Sequence, residues 1–115
     1  MDGKNPTETL TNLKTCIAAG RCFVFGFDVY DGFESETVAN TGVLQLPTAT
    51  ESLLGGHAVM AIGYNDEQKR FLVKNSWGKK WGLPNPKYRG YFTMPYEYIT
   101  DKNLASDFWT ITRVG

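Results

Sequence analysis

Apolar positions along the chain change period several times, and each change marks an element. Leu10, Leu13, Cys16 and Ile17 recur at helical spacing and form one apolar face. Ahead of them Asn5-Pro6-Thr7-Glu8 is a helix start, with Asn5 as N-cap, Pro6 at the first helical position and Glu8 at the third. Gly20 is a stop signal. The pattern predicts an amphipathic helix over residues 6–19. Residues 22–30 are almost continuously apolar and rich in aromatic and β-branched side chains, the pattern of a buried strand. Gly26 inside that run marks a bulge or a close backbone approach.

Residues 33–40 carry no clear period and read equally as a short helix or a loop. Residues 41–46 read as a short strand stopped by Pro47, and residues 48–54 as a polar loop leading to Gly55-Gly56. From there two apolar strands are joined by the polar turn at 65–69; His57 opens the first and Asn75 closes the second. Residues 83–87 form an irregular loop with two prolines, 88–94 alternate as a strand, 95–99 form a tight turn or a single helical turn, and 107–112 form a last strand. One helix followed by antiparallel strands predicts an α+β fold. It consists of an N-terminal helix and a small antiparallel β-sheet or partial barrel, as one domain over residues 1–115.

Composition narrows the functional classes. Twelve basic residues balance twelve acidic ones, so net charge gives no drive toward nucleic acid or an anionic membrane. No apolar run approaches the roughly 20 residues of a membrane span. The polar start Met-Asp-Gly-Lys-Asn does not read as a signal peptide, and no targeting segment assigns a compartment. Cys16 and Cys22 are the two cysteines. With no secretory signal they read as reduced, half-buried thiols. Their spacing fits no zinc motif, and one histidine is too few to help, so neither a metal site nor a cofactor is expected.

The chemistry concentrates in the hairpin. His57 is the sole histidine, and Asn75 stands 18 positions away. A hairpin sets the start of one strand beside the end of the next, so the two become neighbours. Histidine is the usual general base near neutral pH, and it needs a group that holds one ring nitrogen while the other faces the reaction. An Asn carbonyl does this without adding charge. Trp77 then lies over the pair and excludes water, while Gly55-Gly56 admit a close backbone approach. Each residue also has a plain structural reading: a strand histidine that packs, a turn asparagine, tryptophans that fill a small core. The combination favours chemistry.

Gly56-His57-Ala58-Val59 with Gly63-Tyr64, then Lys74-Asn75-Ser76-Trp77-Gly78, Trp81-Gly82 and Gly90-Tyr91-Phe92, resembles the C-terminal half of papain-like cysteine peptidases. The likeness covers nearly the whole chain and implies the right-hand, β-rich domain of a two-domain peptidase whose active site is the cleft between domains. On this resemblance His57 is the catalytic base and acid, and Asn75 is its orienter. Trp77 shields the pair and forms part of the wall on the primed side. The Gly56 carbonyl accepts a hydrogen bond from the substrate backbone, and Ala58 lies near the pocket for the second residue before the cut.

The departures are as specific as the match. The family's nucleophile sits in a Cys-Gly-(Ser/Ala)-Cys-(Trp/Tyr) motif about 130–150 residues ahead of its histidine. Here 56 residues precede His57 and the motif is absent, as is the oxyanion-hole Gln. Cys16 falls late in its predicted helix, away from the N-terminal end that favours a thiolate, and Cys22 opens a strand; neither suits a thiolate nucleophile. Residues 83–89 are longer than the usual connection and enlarge a surface loop. The expectation is a half-domain that acts on peptide or protein substrate once a left-domain partner supplies the cysteine. It would dock or self-associate through an exposed apolar face. The alternatives are an inactive remnant that binds peptides or proteins, and a structural domain.

Overall fold

A computed structural model of the chain describes residues 6–75, 77–78, 80–101 and 104–112. The N-terminal helix, α1, spans Pro6–Ala18; its proposed cap, Asn5, lies outside the described residues, as does Ser76 of the Asn-Ser-Trp run. The apolar run that follows is β1 (Arg21–Tyr30). A 3-10 turn at Asp31–Glu34 and a short helix α2 (Glu36–Thr41) fill the stretch whose pattern was ambiguous. Ser35 caps α2 by accepting the Val38 N–H. The hairpin is β2 (Leu53–Asn65) and β3 (Arg70–Lys74). After it come β4 (Tyr91–Pro95), a single-turn helix α3 (Tyr96–Thr100) and β5 (Ala105–Thr112).

The strands form one five-stranded sheet in the order β4-β3-β2-β1-β5, with every neighbouring pair antiparallel. Period-two alternation sends Phe23, Phe25, Phe27 and Val29 of β1 to one face. Val59 and Ala61, Phe71 and Val73, and Phe92 and Met94 join them there, with Leu13 of α1 and Tyr98 and Ile99 of α3 completing the core. The β1–β5 register slips between Val24 and Gly26, and the extra residue lies on β5, which takes three steps from Trp109 to Ser106 against two along β1. Tyr98 ties α3 to β1 by donating its hydroxyl to the Asp28 carbonyl at 2.5 Å, and burial pushes its pKa up. Among the described residues no helix is long and apolar enough to cross a membrane.

Three expectations need correction. Residues 41–46 are not a strand: Thr41 ends α2, and only Val43 makes a bridge, parallel to Thr93. The polar groups of this segment are met otherwise. The Arg70 guanidinium donates to the Leu44 carbonyl oxygen and to Thr93, and burial lowers its pKa. The strand expected over 88–94 starts at Tyr91, because Pro86–Tyr88 is a 3-10 turn and Arg89 bridges back to Gly82. His57 does not open its strand; β2 begins at Leu53 and runs through it.

Two glycines are required where these segments cross. Gly42 closes α2 at φ +68, and Gly82 sits at φ +98, where an added Cβ would lie 2.2 Å from the Tyr91 carbonyl oxygen. Gly82→Ala therefore combines left-handed strain with a backbone clash, and a stability loss of about 2 kcal/mol or more is expected. Urea unfolding would register it as a lower midpoint with an unchanged slope.

The β2–β3 turn is held to the helices through Asp66. Its Oδ1 lies 2.8 Å from Lys14 Nζ and accepts the Tyr96 hydroxyl at 2.8 Å. The hydrogen bond from Lys14, then that from Tyr96, holds the carboxyl below its ordinary pKa. A depressed folded-state pKa gives stability that is present above the unfolded value and lost as pH falls through the folded one. Acidification below the ordinary Asp range, about 3.9, should therefore bring the melting temperatures of the native chain and Asp66→Asn together, with the native chain higher at neutral pH.

Candidate active site

The hairpin brings the predicted pair together through parity. His57 shares the core-facing side of β2 with Val59 and Ala61, and Asn75 continues the core-facing row of Phe71 and Val73. The β2–β3 ladder ends with Met60 opposite Lys74, so Asn75 is the first residue beyond it, fixed by its backbone N–H to the Gly90 carbonyl at 3.0 Å. On its other side His57 is paired with Phe27 of β1. His57 Nε2 lies 2.8 Å from Asn75 Oδ1. An amide oxygen only accepts, so Nε2 carries the proton in this contact and Nδ1 is the nitrogen left for chemistry. Asn75 is 5% exposed, whereas the imidazole stays at the surface, half-buried.

Aromatic rings surround the pair. The Trp77 ring lies 5.5 Å from the His57 ring at 32°, yet Trp77 keeps 43% of its surface exposed. It therefore covers one side of the imidazole and presents its other face to solvent. Beneath them Phe33 is 1% exposed. Its ring centroid is 5.0 Å from Trp77, 6.1 Å from His57, 5.4 Å from Trp81 and 5.0 Å from Phe92. Phe33 was not among the residues singled out from the sequence, because it falls in the stretch without a period. Its proximity to the histidine arises from the 3-10 turn that folds it back under β2.

The remaining predicted residues fall on both sides of the histidine. Gly56 is exposed, and with Gly55 it leaves the β2 backbone bare: a Cβ at either would meet nothing within 4 Å. Ala58 is exposed on the opposite sheet face, lining a groove of about 320 Å³ with Val24, Met60 and Lys74. Leu53 and Leu54, at 56% and 50% exposure, lie just ahead of the glycines. Both cysteines are at the other end of β1. Cys16 Sγ is 3.7 Å from the Cys22 carbonyl oxygen. Cys22 lies five strand residues from Phe27, the partner of His57, which is roughly 16 Å at 3.3 Å per residue. Neither thiol belongs to the site. Among the described residues no three His, Cys, Asp or Glu side chains cluster to hold a metal ion.

A hairpin histidine held by an asparagine under a tryptophan defines a protein class, and the family comparison agrees. The family model for papain family cysteine proteases matches residues 3–110, and the chain belongs to that family. It is similar to an uncharacterised peptidase C1-like protein of Acanthamoeba polyphaga mimivirus, 48% identical over 107 residues, which are 93% of this chain and 33% of that protein. Among solved structures it is similar to xylellain, a cysteine protease from Xylella fastidiosa, with 46% identity and a TM-score of 0.77 over 90% of this chain and 36% of that one. The bromelain protease of Ananas comosus shares the fold at 23% identity and a TM-score of 0.54, over 95% of this chain and 46% of that one. The chain thus spans about a third of the length of its more similar relatives.

Proposed function

We propose that this chain supplies the base half of a cysteine peptidase active site and that a left domain supplies the nucleophile. The observation that carries this reading is the 2.8 Å contact between His57 Nε2 and Asn75 Oδ1. With Nε2 engaged, Nδ1 takes the proton of an approaching thiol, and a thiolate next to the imidazolium is the attacking species. The thiolate adds to the scissile carbonyl. His57 then returns its proton to the leaving amine, which departs as the thioester forms. Water next attacks the thioester with His57 as base, and the thiol is regenerated. Asn75 keeps the ring oriented through both steps, and Trp77 limits water around their hydrogen bond. The Gly56 carbonyl receives a substrate N–H, and Ala58 borders the pocket for the second residue before the cut.

On this reading the chain alone forms no acyl-enzyme, since both of its cysteines lie far from His57. Leu54 and Trp77 are exposed beside the histidine, and Leu53 is exposed next to Leu54; such apolar surface suits a docking domain. The test is to mix the chain with a separately produced domain carrying the family's nucleophile motif and to follow a fluorogenic peptide and an active-site-directed thiol reagent. Cleavage and labelling are expected in the mixture and from neither component alone. Absence of a complex at micromolar concentrations would overturn the proposal and leave a peptide-binding remnant as the better account.

A further inference from the structure

Beside the imidazole is a cavity of about 120 Å³ lined by Val29, Glu34, Leu54, Gly55, Gly56, His57 and Trp77. Its lining side chains are apolar except for His57 and Glu34, and Gly55 and Gly56 present bare backbone. The neighbouring acids are committed elsewhere. Glu51 accepts the Gly32 and Thr48 backbone N–H groups at 2.7 and 3.0 Å, and Asp31 accepts that of Ser52 at 3.0 Å. Those bonds clasp the 44–52 loop against the 3-10 turn that carries Glu34. Glu34 itself is exposed and makes no hydrogen bond or ion pair with another described residue. Residues 22–68 contain Asp28, Asp31, Glu34, Glu36, Glu51, Asp66 and Glu67 but neither Lys nor Arg. Lys80, three positions beyond Trp77, is exposed and does not line the cavity. Lys74 lines the groove beside Ala58, on the other sheet face.

The side of the substrate that meets this cavity follows from the proton's path. His57 must protonate the leaving amine, so the residue carrying that amine, the one after the cut, lies against the imidazole. We infer that this cavity selects a basic residue, Arg or Lys, immediately after the scissile bond, with Glu34 as the specificity-determining carboxylate. The aliphatic stem of such a side chain covers Leu54 and Val29, its charged head pairs with Glu34, and a guanidinium also stacks on the Trp77 ring. Gly55 and Gly56 leave the space for the stem open. The inference rests on the peptidase reading above and assigns a charge preference to that same site.

Two measurements separate failure of this inference from failure of that reading. In the assembled peptidase, peptides differing only in Arg, Leu or Glu after the cut are compared by kcat/KM. Arg is expected to exceed Leu about three- to fivefold, as a partly solvated ion pair gives, and to exceed Glu by more. Glu34→Gln should remove the Arg advantage, and Glu34→Lys should turn it toward Glu. Cleavage that depends on His57 but is indifferent to this residue, or an Arg preference that survives Glu34→Gln, overturns the inference and spares the peptidase reading. The second measurement needs no turnover. The chain is titrated with H-Arg-Ala-NH2, H-Leu-Ala-NH2 and H-Glu-Ala-NH2, mimics of the leaving product, while the His57 ring and Trp77 indole NMR signals are followed. Arg should shift both signals with a Kd at least threefold below that of Leu. Equal binding of the three dipeptides, or a difference unchanged by Glu34→Gln, overturns the inference whatever the chain's activity.

Discussion

With the nucleophile-bearing domain in place, His57→Ala is expected to lower kcat/KM for a fluorogenic peptide roughly a hundred- to ten-thousand-fold. The size follows from two lost roles. Without the imidazole no group within reach accepts the thiol proton, and none returns it to the leaving amine; no second histidine exists in the chain to substitute. Binding of the substrate backbone does not depend on the ring, so KM should move far less than kcat. Asn75→Ala removes the acceptor at Nε2 and keeps the base, so its loss should be smaller and should fall on kcat as well. An assembled His57→Ala enzyme that retained activity within tenfold of the native one would exclude His57 as the proton carrier.

The second large effect is on stability. Phe33→Ala is expected to cost about 3–5 kcal/mol, the range for truncating a buried aromatic ring. Phe33 is 1% exposed, and its ring is met by those of Phe27, His57, Trp77, Trp81 and Phe92 at centroid distances of 5.0–6.1 Å. Those neighbours belong to β1, β2, β4 and the chain after β3, so they cannot all close on the vacated volume at once. Domains of this size have a total stability of about 5–15 kcal/mol, and the loss would lower Tm by on the order of 15 °C. Chemical denaturation of the native chain, Phe33→Ala and the milder Phe33→Leu checks the ordering. A loss under 1 kcal/mol for the alanine variant would mean that the rings around position 33 repack without it.

Most of the architecture was legible because it rests on short-range pattern. The apolar period of Leu10, Leu13 and Ile17 marked α1, and the run from Cys22 to Tyr30 marked β1. The proximity of His57 and Asn75 was legible because a hairpin sets the start of one strand beside the end of the next. Their shared face was not, because it needs the register shift between Ala61 and Gly63, without which Asn75 would stand opposite Met60 and point away from His57. What escaped depends on contacts across the chain. Residues 41–46 have strand composition, but Gly42 turns left-handed after α2, and a guanidinium 26 positions later in the chain, that of Arg70, donates to the Leu44 carbonyl. Tyr88 and Arg89 alternate like strand residues, yet the loop doubles back where Arg89 donates to the Gly82 and Leu83 carbonyls at 3.0 and 3.1 Å. Phe33 and Glu34 gave no periodic signal, and their value to the site comes wholly from the turn that places them beneath and beside His57.

The hydrogen bond between His57 and Asn75 has a kinetic consequence. His57 is held by its pairing with Phe27 and by the Trp77 ring, and Asn75 by its backbone N–H to the Gly90 carbonyl, so their rotamers are settled when this domain folds. Immobilising such side chains during association would otherwise cost about 0.5–1.5 kcal/mol each. On the two-part reading that entropy is already spent before the partner arrives, and docking needs only rigid-body alignment. Assembly would then proceed at the ordinary protein–protein rate of roughly 10⁵–10⁷ M⁻¹s⁻¹, and activity would emerge as a second-order process with no slow unimolecular maturation after the encounter.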